Sequence, residues 1–263
     1  MMIESNPSVT RMEQNHFSRR LRGWLRRRAI AAAPMYARRK SYKVTLITEP
    51  FSLSLSLSLS AYLFVCCVTM AAVSSEGRSK INVVGICGSL RAKSCNAGLL
   101  RHAVQVADAR DDVIMTTFDI GTLPLYNQDL DGEDAPEVAK AWKAAVQQAD
   151  AIFFACPEYN YSMSGALKNA LDWPSKFPSQ LWKGKVAAIV GAGGGAGTAR
   201  GQLALRQSGV FLDITFVNTP EVCIQRFSDA TAFDADGNLV GEKWQERVEN
   251  IFDRLVHLAM KLK

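Results

Sequence analysis

The sequence predicts an α/β fold, a single parallel sheet with helices on both faces. Three observations lead there. From Lys80 on, apolar runs of strand length alternate with segments of helical period, strand then helix, down the chain. The runs 151–155 and 186–190 are continuously apolar, as in strands covered on both faces. Three strand ends open into loops rich in glycine, hydroxyls or amides: GSLRAKSCN, PEYNYSMSG and GAGGGAG.

Taken in order, the first strand is 81–86, β-branched and apolar, closed by Gly88. The polar loop behind it leads into a helix over 97–109. A second strand covers 113–120, and the loop 121–135 carries LPLYNQDLDGED. Pro136 suits the first position of a helix running to about Gln148. A third strand, 151–155, is followed by the loop 156–164, a short helix 165–173 and an excursion 174–184 that bears Pro and Trp. The fourth strand is 186–190, and the glycine loop after it enters a helix over 198–207. A fifth strand covers 214–217. A turn at Asp236-Gly237-Asn238 then leads to an amphipathic helix, 242–262. Five strands in about 180 residues fit a flavodoxin-like, three-layer arrangement of strand order 2-1-3-4-5. Its ligands sit beyond the strand C-termini, where the first and third strands part. The loops after strands one, three and four are therefore expected to converge.

The net charge of +6 belongs to one end of the chain. Through residue 80, thirteen Lys+Arg face four Asp+Glu; from residue 81 on, eighteen face twenty-one. The second part, at −3, shows no basic face suited to nucleic acid. The six Cys form no CxxC pair and the three His are dispersed, which argues against a zinc or thioredoxin-type site. The Cys read as reduced, small hydrophobes.

Residues 1–79 read as an extension without fixed structure, leaving 80–263 as the domain. Arg-rich residues 1–40 precede an apolar run, 51–73, close to the length of a membrane span. An organelle transit peptide, a signal anchor and an untranslated leader carried into the sequence all fit. The leader reading is preferred. The Ser-Leu repeat matches a TCTCTC repeat, Met70 offers a second start, and alternating hydroxyls suit a spanning helix poorly. It implies a cytoplasmic protein with no stable membrane insertion; a translated extension would instead direct the chain to an organelle.

The junction 81–96 points backbone N–H groups and a helix dipole at an anion. Ser89, Ser94 and Asn96 add donors, and Arg91 a planar cation suited to phosphate. The pattern is not a Walker loop, because Lys93 lacks the required glycine spacing. In the second loop Pro157 fixes the backbone, Tyr159 and Tyr161 offer flat surfaces, and Glu158 and Asn160 need partners if buried. Such a loop can meet both the apolar face and the polar edge of a flavin. The glycines of the third loop let backbone approach a ligand closely. Gly191, Gly193 and Ala196 also satisfy a dinucleotide fingerprint, but one that follows the wrong strand. Cys95 and Arg101 have the C-x5-R spacing of cysteine phosphatases, although Cys95 lies at the helix entrance rather than directly after the strand. The stretch 234–238 fails the spacing of a calcium loop.

GSLRAKSCN, LPLYNQDL, PEYNYSMSGALKNALDW and the glycine loop, in this order, resemble the NADPH-dependent FMN reductase family. Within it the likeness is to the soluble FMN-containing quinone reductases of plants and their bacterial chromate- and azo-reducing relatives. The resemblance covers the chain from Lys80 on, and PEYN followed by ALKNALDW is its most specific part. It implies FMN as cofactor, NADPH or NADH as co-substrate, two-electron reduction of quinones, and a homodimer or homotetramer. It also implies that Ser89, Arg91, Ser94 and Asn96 hold the FMN phosphate. Pro157, Glu158, Tyr159 and Asn160 would line the ribityl chain and ring, and Gly193, Gly194 and Gly195 would face the pyrimidine edge. No side-chain nucleophile is implied. Two positions depart from the family pattern: Cys95 stands where an aromatic is frequent, and Ala192 with its glycines where Ser or Thr is. An electron carrier without NAD(P)H turnover would be more acidic than −3. The aromatics of the excursion, Trp173, Phe177 and Trp182, are expected to face a neighbouring subunit. Arg206 and Glu221 are inter-subunit partners by the same resemblance.

Overall fold

The computed structural model describes residues 80–176 and 180–263; the expectations for 1–79 and for Phe177 lie outside them. In chain order the elements are β1 (Ile81–Cys87), α1 (Cys95–Asp108), β2 (Val113–Phe118), α2 (Glu137–Gln148) and β3 (Ala151–Ala155). Then come β4 (Glu158–Tyr159), β5 (Ser162–Met163), α3 (Gly165–Asp172), β6 (Val186–Gly193), α4 (Ala199–Leu212), β7 (Thr215–Phe216), β8 (Val222–Gln225) and α5 (Glu242–Leu262). Strands β2, β1, β3 and β6 lie side by side in that order, all parallel, as expected.

The fifth position is shared by two short segments. β7 pairs with the foot of β6 (Val186 with Thr215), and β8 with its head (Val190 with Val222, Gly193 with Gln225). Pro220 lies between them and has no N–H to give the ladder. The single strand expected at 214–217 is thus only the lower half of an edge.

Alternation along the strands feeds two cores. Ile81 and Val83 of β1, with Phe153 of β3, pack under α1 and α5. Val84 and Ile86, with Ile152 and Phe154, pack under α2 and α3. Every residue of β3 is buried, which is why its sequence shows no polar alternation.

The excursion after α3 corrects an expectation. Trp173 and Trp182 are 0 % exposed, so they are core and not a surface for a neighbour. The indole N–H of Trp182 donates to Leu171 O (2.9 Å), that of Trp173 to Pro124 O (2.9 Å) and that of Trp142 to Ala170 O (2.7 Å). With only eight residues, α3 covers little of the sheet, and the indoles complete that layer while satisfying their own donors. At the opposite pole from the three loops, Lys263 Nζ donates to Lys80 O (3.2 Å) and pairs with Asp150 (2.8 Å).

Candidate active site

The three polar loops meet at the C-terminal ends of β1, β3 and β6, and hydrogen bonds brace them to one another. Ser164 Oγ donates to Gly88 O (2.6 Å) and also accepts from Leu167 N, capping α3 (3.2 Å). Asn96 spans from α1 to the end of β6. Its Nδ2 donates to Ala192 O (2.9 Å) and its Oδ1 accepts from Ala192 N (3.0 Å). Glu158 reaches from the second loop to the third. One carboxylate oxygen accepts from the N–H groups of Arg200 and Gly201 (2.9 and 3.0 Å), the other from Arg200 Nε (2.6 Å). Thr198, the N-cap of α4, makes no side-chain cap bond, so Glu158 supplies that cap from another loop.

The first loop is an open cradle. Ser94 Oγ accepts from Asn96 N and Ala97 N (3.2 and 3.4 Å), which starts α1 at Cys95, two residues earlier than expected. Ahead of it, the N–H groups of Leu90, Arg91 and Lys93 find no acceptor among the described residues, and Arg91 pairs with no carboxylate there. Ser89 is buried at the loop's base. A pocket of about 470 Å³ opens beside it, lined by Ser89, Leu90, Arg91 and Asp119 among others.

The turn 234–238 buttresses this cradle from outside. Asp234 Oδ1 accepts from Asp236 N and Asn238 N (2.9 and 2.8 Å). Lys93 pairs with Asp236 (2.8 Å), and Arg101 Nε donates to Asn238 Oδ1 (2.8 Å). Gly237, at φ 78°, lies against the loop backbone, and a methyl at Gly98 would overlap its carbonyl oxygen. Hydrogen bonds from Asn238 hold the Asp234 carboxyl below its ordinary value.

Four free cysteines lie among the described residues around the site. Burial first, then the Glu158 charge, pushes the Cys156 thiol up to about 12. Burial also raises Cys87 and Cys223. Cys95 meets Arg226, whose Nε lies 3.0 Å from its sulfur, and not Arg101, so the C-x5-R pair is not assembled. Arg226 also donates its backbone N–H to Gly193 O (3.0 Å), which ties β8 to the third loop; nothing in its sequence context signalled this. The ALKNALDW stretch is structural as well: Asn169 holds Tyr126 N (2.7 Å) and Pro124 O (2.9 Å), pinning the LPLYNQDL loop to α3.

Sequence-predicted residues from all three loops are therefore gathered at one place. Pro157 is buried, Tyr159 and Asn160 are exposed, and Gly194 and Gly195 border open space, a methyl there meeting nothing within 4 Å. A parallel sheet with an anion cradle at its switch point and a glycine rim beside it defines a flavodoxin-like protein built for a flat, phosphorylated ligand. The chain belongs to the NADPH-dependent FMN reductase family, whose model matches residues 81–229. It is 44 % identical over 185 residues to an NAD(P)H:quinone oxidoreductase of Solanum tuberosum, spanning 70 % of this chain and 95 % of that one. It is 45 % identical over 170 residues to an NAD(P)H-dependent FMN reductase of Pseudomonas aeruginosa, spanning 64 % of this chain and 90 % of the other. Among solved structures it is similar to the flavoenzyme NAD(P)H:(acceptor) oxidoreductase FerB of Paracoccus denitrificans. The TM-score there is 0.61 at 33 % identity, covering 69 % of this chain and 98 % of that one.

Proposed function

We propose that the chain is an FMN-dependent NAD(P)H:quinone oxidoreductase whose flavin lies across the three loops. The family and the relatives' quinone-reductase names support the reaction. The observation that carries the site is the cradle ahead of α1, whose N–H groups and Arg91 guanidinium meet no acceptor among the described residues. These residues fit FMN. Ser89, Arg91 and Ser94 would hold the phosphate, and Pro157, Tyr159 and Asn160 would line the ribityl chain and ring. Gly193, Gly194 and Gly195 would leave room for the ring edge. Asn96 and Glu158 serve the same site by fixing the loops, since their polar atoms already bind protein. When bound there, FMN would supply the redox chemistry that carries a hydride from NADPH or NADH, and then two electrons to a quinone, in a ping-pong cycle. The protein's part is to bind, orient and wall the pocket where the two substrates alternate.

The test is a titration. The purified protein should show flavin absorption that NADPH bleaches without air and a quinone restores. Arg91→Ala removes a charge-assisted phosphate contact worth about 1.5–3 kcal/mol, so FMN should bind roughly tenfold or more weakly. Unchanged affinity would refute the phosphate assignment.

In this reading the enzyme is cytoplasmic, starts at Met70 and is a homodimer or homotetramer. No helix of the described residues is long and apolar enough to cross a membrane. An exposed apolar stripe on α4 supports self-association: Leu203, Val210 and Phe211 are 64 %, 82 % and 73 % exposed and lie on one helix face. Arg206, half-buried on the same helix, is tied to its own chain through Asn218 Oδ1 (2.7 Å).

A further inference from the structure

The pocket of about 470 Å³ beside the cradle runs away from the other two loops. Its lining comes from β1, α1, the first loop and residues 117–122, at the end of β2 and the turn behind it. Among the described residues, none from the second or third loop borders it. The sheet explains this, because β2 lies on one side of β1 while β3 and β6 lie on the other. A flavin reaching from the cradle to the glycine rim therefore leaves this pocket open.

The chemistry of the pocket suits a nucleoside. Leu90, 61 % exposed, leans across it: a methyl at Gly121 would lie 3.0 Å from Leu90 Cδ2. With half-buried Phe118 it makes an apolar wall for a flat base. Asp119 sets Oδ1 on Gly121 N (2.9 Å), which fixes the side chain; Oδ2 accepts nothing among the described residues. A carboxylate at the end of the second strand, behind a strand–loop–helix anion cradle, is where dinucleotide-binding sheets hold the ribose 2′-hydroxyl. The charged members of the lining are Arg91 and Asp119, and no ion pair joins them. With FMN bound, the Arg91 charge would meet the phosphate, leaving Asp119 as the pocket's own charge.

We infer that this pocket holds the adenosine end of the nicotinamide dinucleotide, with Asp119 accepting from the ribose 2′-hydroxyl. The inference rests on the quinone-reductase reading above and names its co-substrate. A 2′-phosphate would be set against a carboxylate, so NADH is preferred to NADPH. The span fits as well. At about 4.8 Å per strand, the pocket and the ends of β3 and β6 are roughly 10–14 Å apart, a gap that an extended dinucleotide covers.

The test uses full-length, FMN-loaded protein and two redox-inert probes, ADP-ribose and 2′-phospho-ADP-ribose, titrated by calorimetry. ADP-ribose should bind, and the 2′-phosphorylated probe roughly tenfold more weakly, the scale of one partly screened like-charge contact. Asp119→Asn keeps an acceptor for Gly121 N and removes the charge. It should close that gap severalfold and narrow the NADH-to-NADPH ratio of kcat/KM with it. Thr117→Trp fills the pocket from an exposed position on β2. It should weaken both probes and raise KM for NADH, with FMN affinity kept. A tighter 2′-phosphorylated probe overturns the inference, as does a parent gap in Asp119→Asn or parent affinities in Thr117→Trp. ADP-ribose that binds only flavin-free protein and is displaced by FMN also overturns it, since the pocket would then be the flavin's own. A bound flavin that neither NADH nor NADPH bleaches would instead strike the quinone-reductase reading, so the two failures are distinguishable.

Discussion

Cys156 lies directly beneath the ligand loops, and its environment makes a testable statement about alkali. An unfolded thiol ionises near 9.0, whereas the folded one holds its proton up to about 12, chiefly through burial. Between those values the unfolded state sheds a proton that the folded state keeps, so stability falls as pH rises. The loss approaches about 1.4 kcal/mol per pH unit for one such group. Urea unfolding at rising pH should show this decline, and Cys156→Ala should flatten it while costing some packing at every pH; an unaltered slope would refute the assignment. Asn96 and Glu158 show the limit of reading single residues. Their chemical types marked them as site candidates, and both lie in loops that meet at the strand ends. Type does not say where a side chain aims, and each is spent on a backbone amide of the neighbouring loop.

The turn 234–238 acts as an element, because it bears on the β1–α1 loop and on α1 through Lys93, Gly98 and Arg101 together. Gly98→Ala would force its methyl against the Gly237 carbonyl. The variant should lose about 1–3 kcal/mol of stability and bind FMN more weakly, read by calorimetry and fluorescence titration; parent-like values for both would refute the buttress. Strands β1, β2, β3 and β6 and the five α-helices of the described residues were legible, because long apolar runs and periodic faces announce themselves. β4, β5 and β8 were not. Two- and four-residue strands carry too little pattern, and the β4–β5 hairpin turns on Asn-Tyr where Asn-Gly would have signalled it. The indoles of the excursion were misread because aromatic content alone does not distinguish a layer's filling from its outside.

At the scale of the molecule, association should depend on α4. Phe211→Glu places a charge in the exposed stripe and should shift sedimentation toward the monomer at micromolar concentration, while Trp182→Ala should act through stability instead. An oligomer untouched by Phe211→Glu would move the interface elsewhere. A chain beginning at Met70 should fold and bind FMN as the full chain does, by circular dichroism and titration, if the domain is indeed 80–263. The contact between Lys263 and the Lys80 carbonyl has an engineering consequence. The first and last described residues of the domain meet at the foot of the sheet, a full strand length from the cofactor loops. A short linker could splice them, and new ends opened at an exposed surface turn would then give a circularly permuted reductase with its chemistry intact.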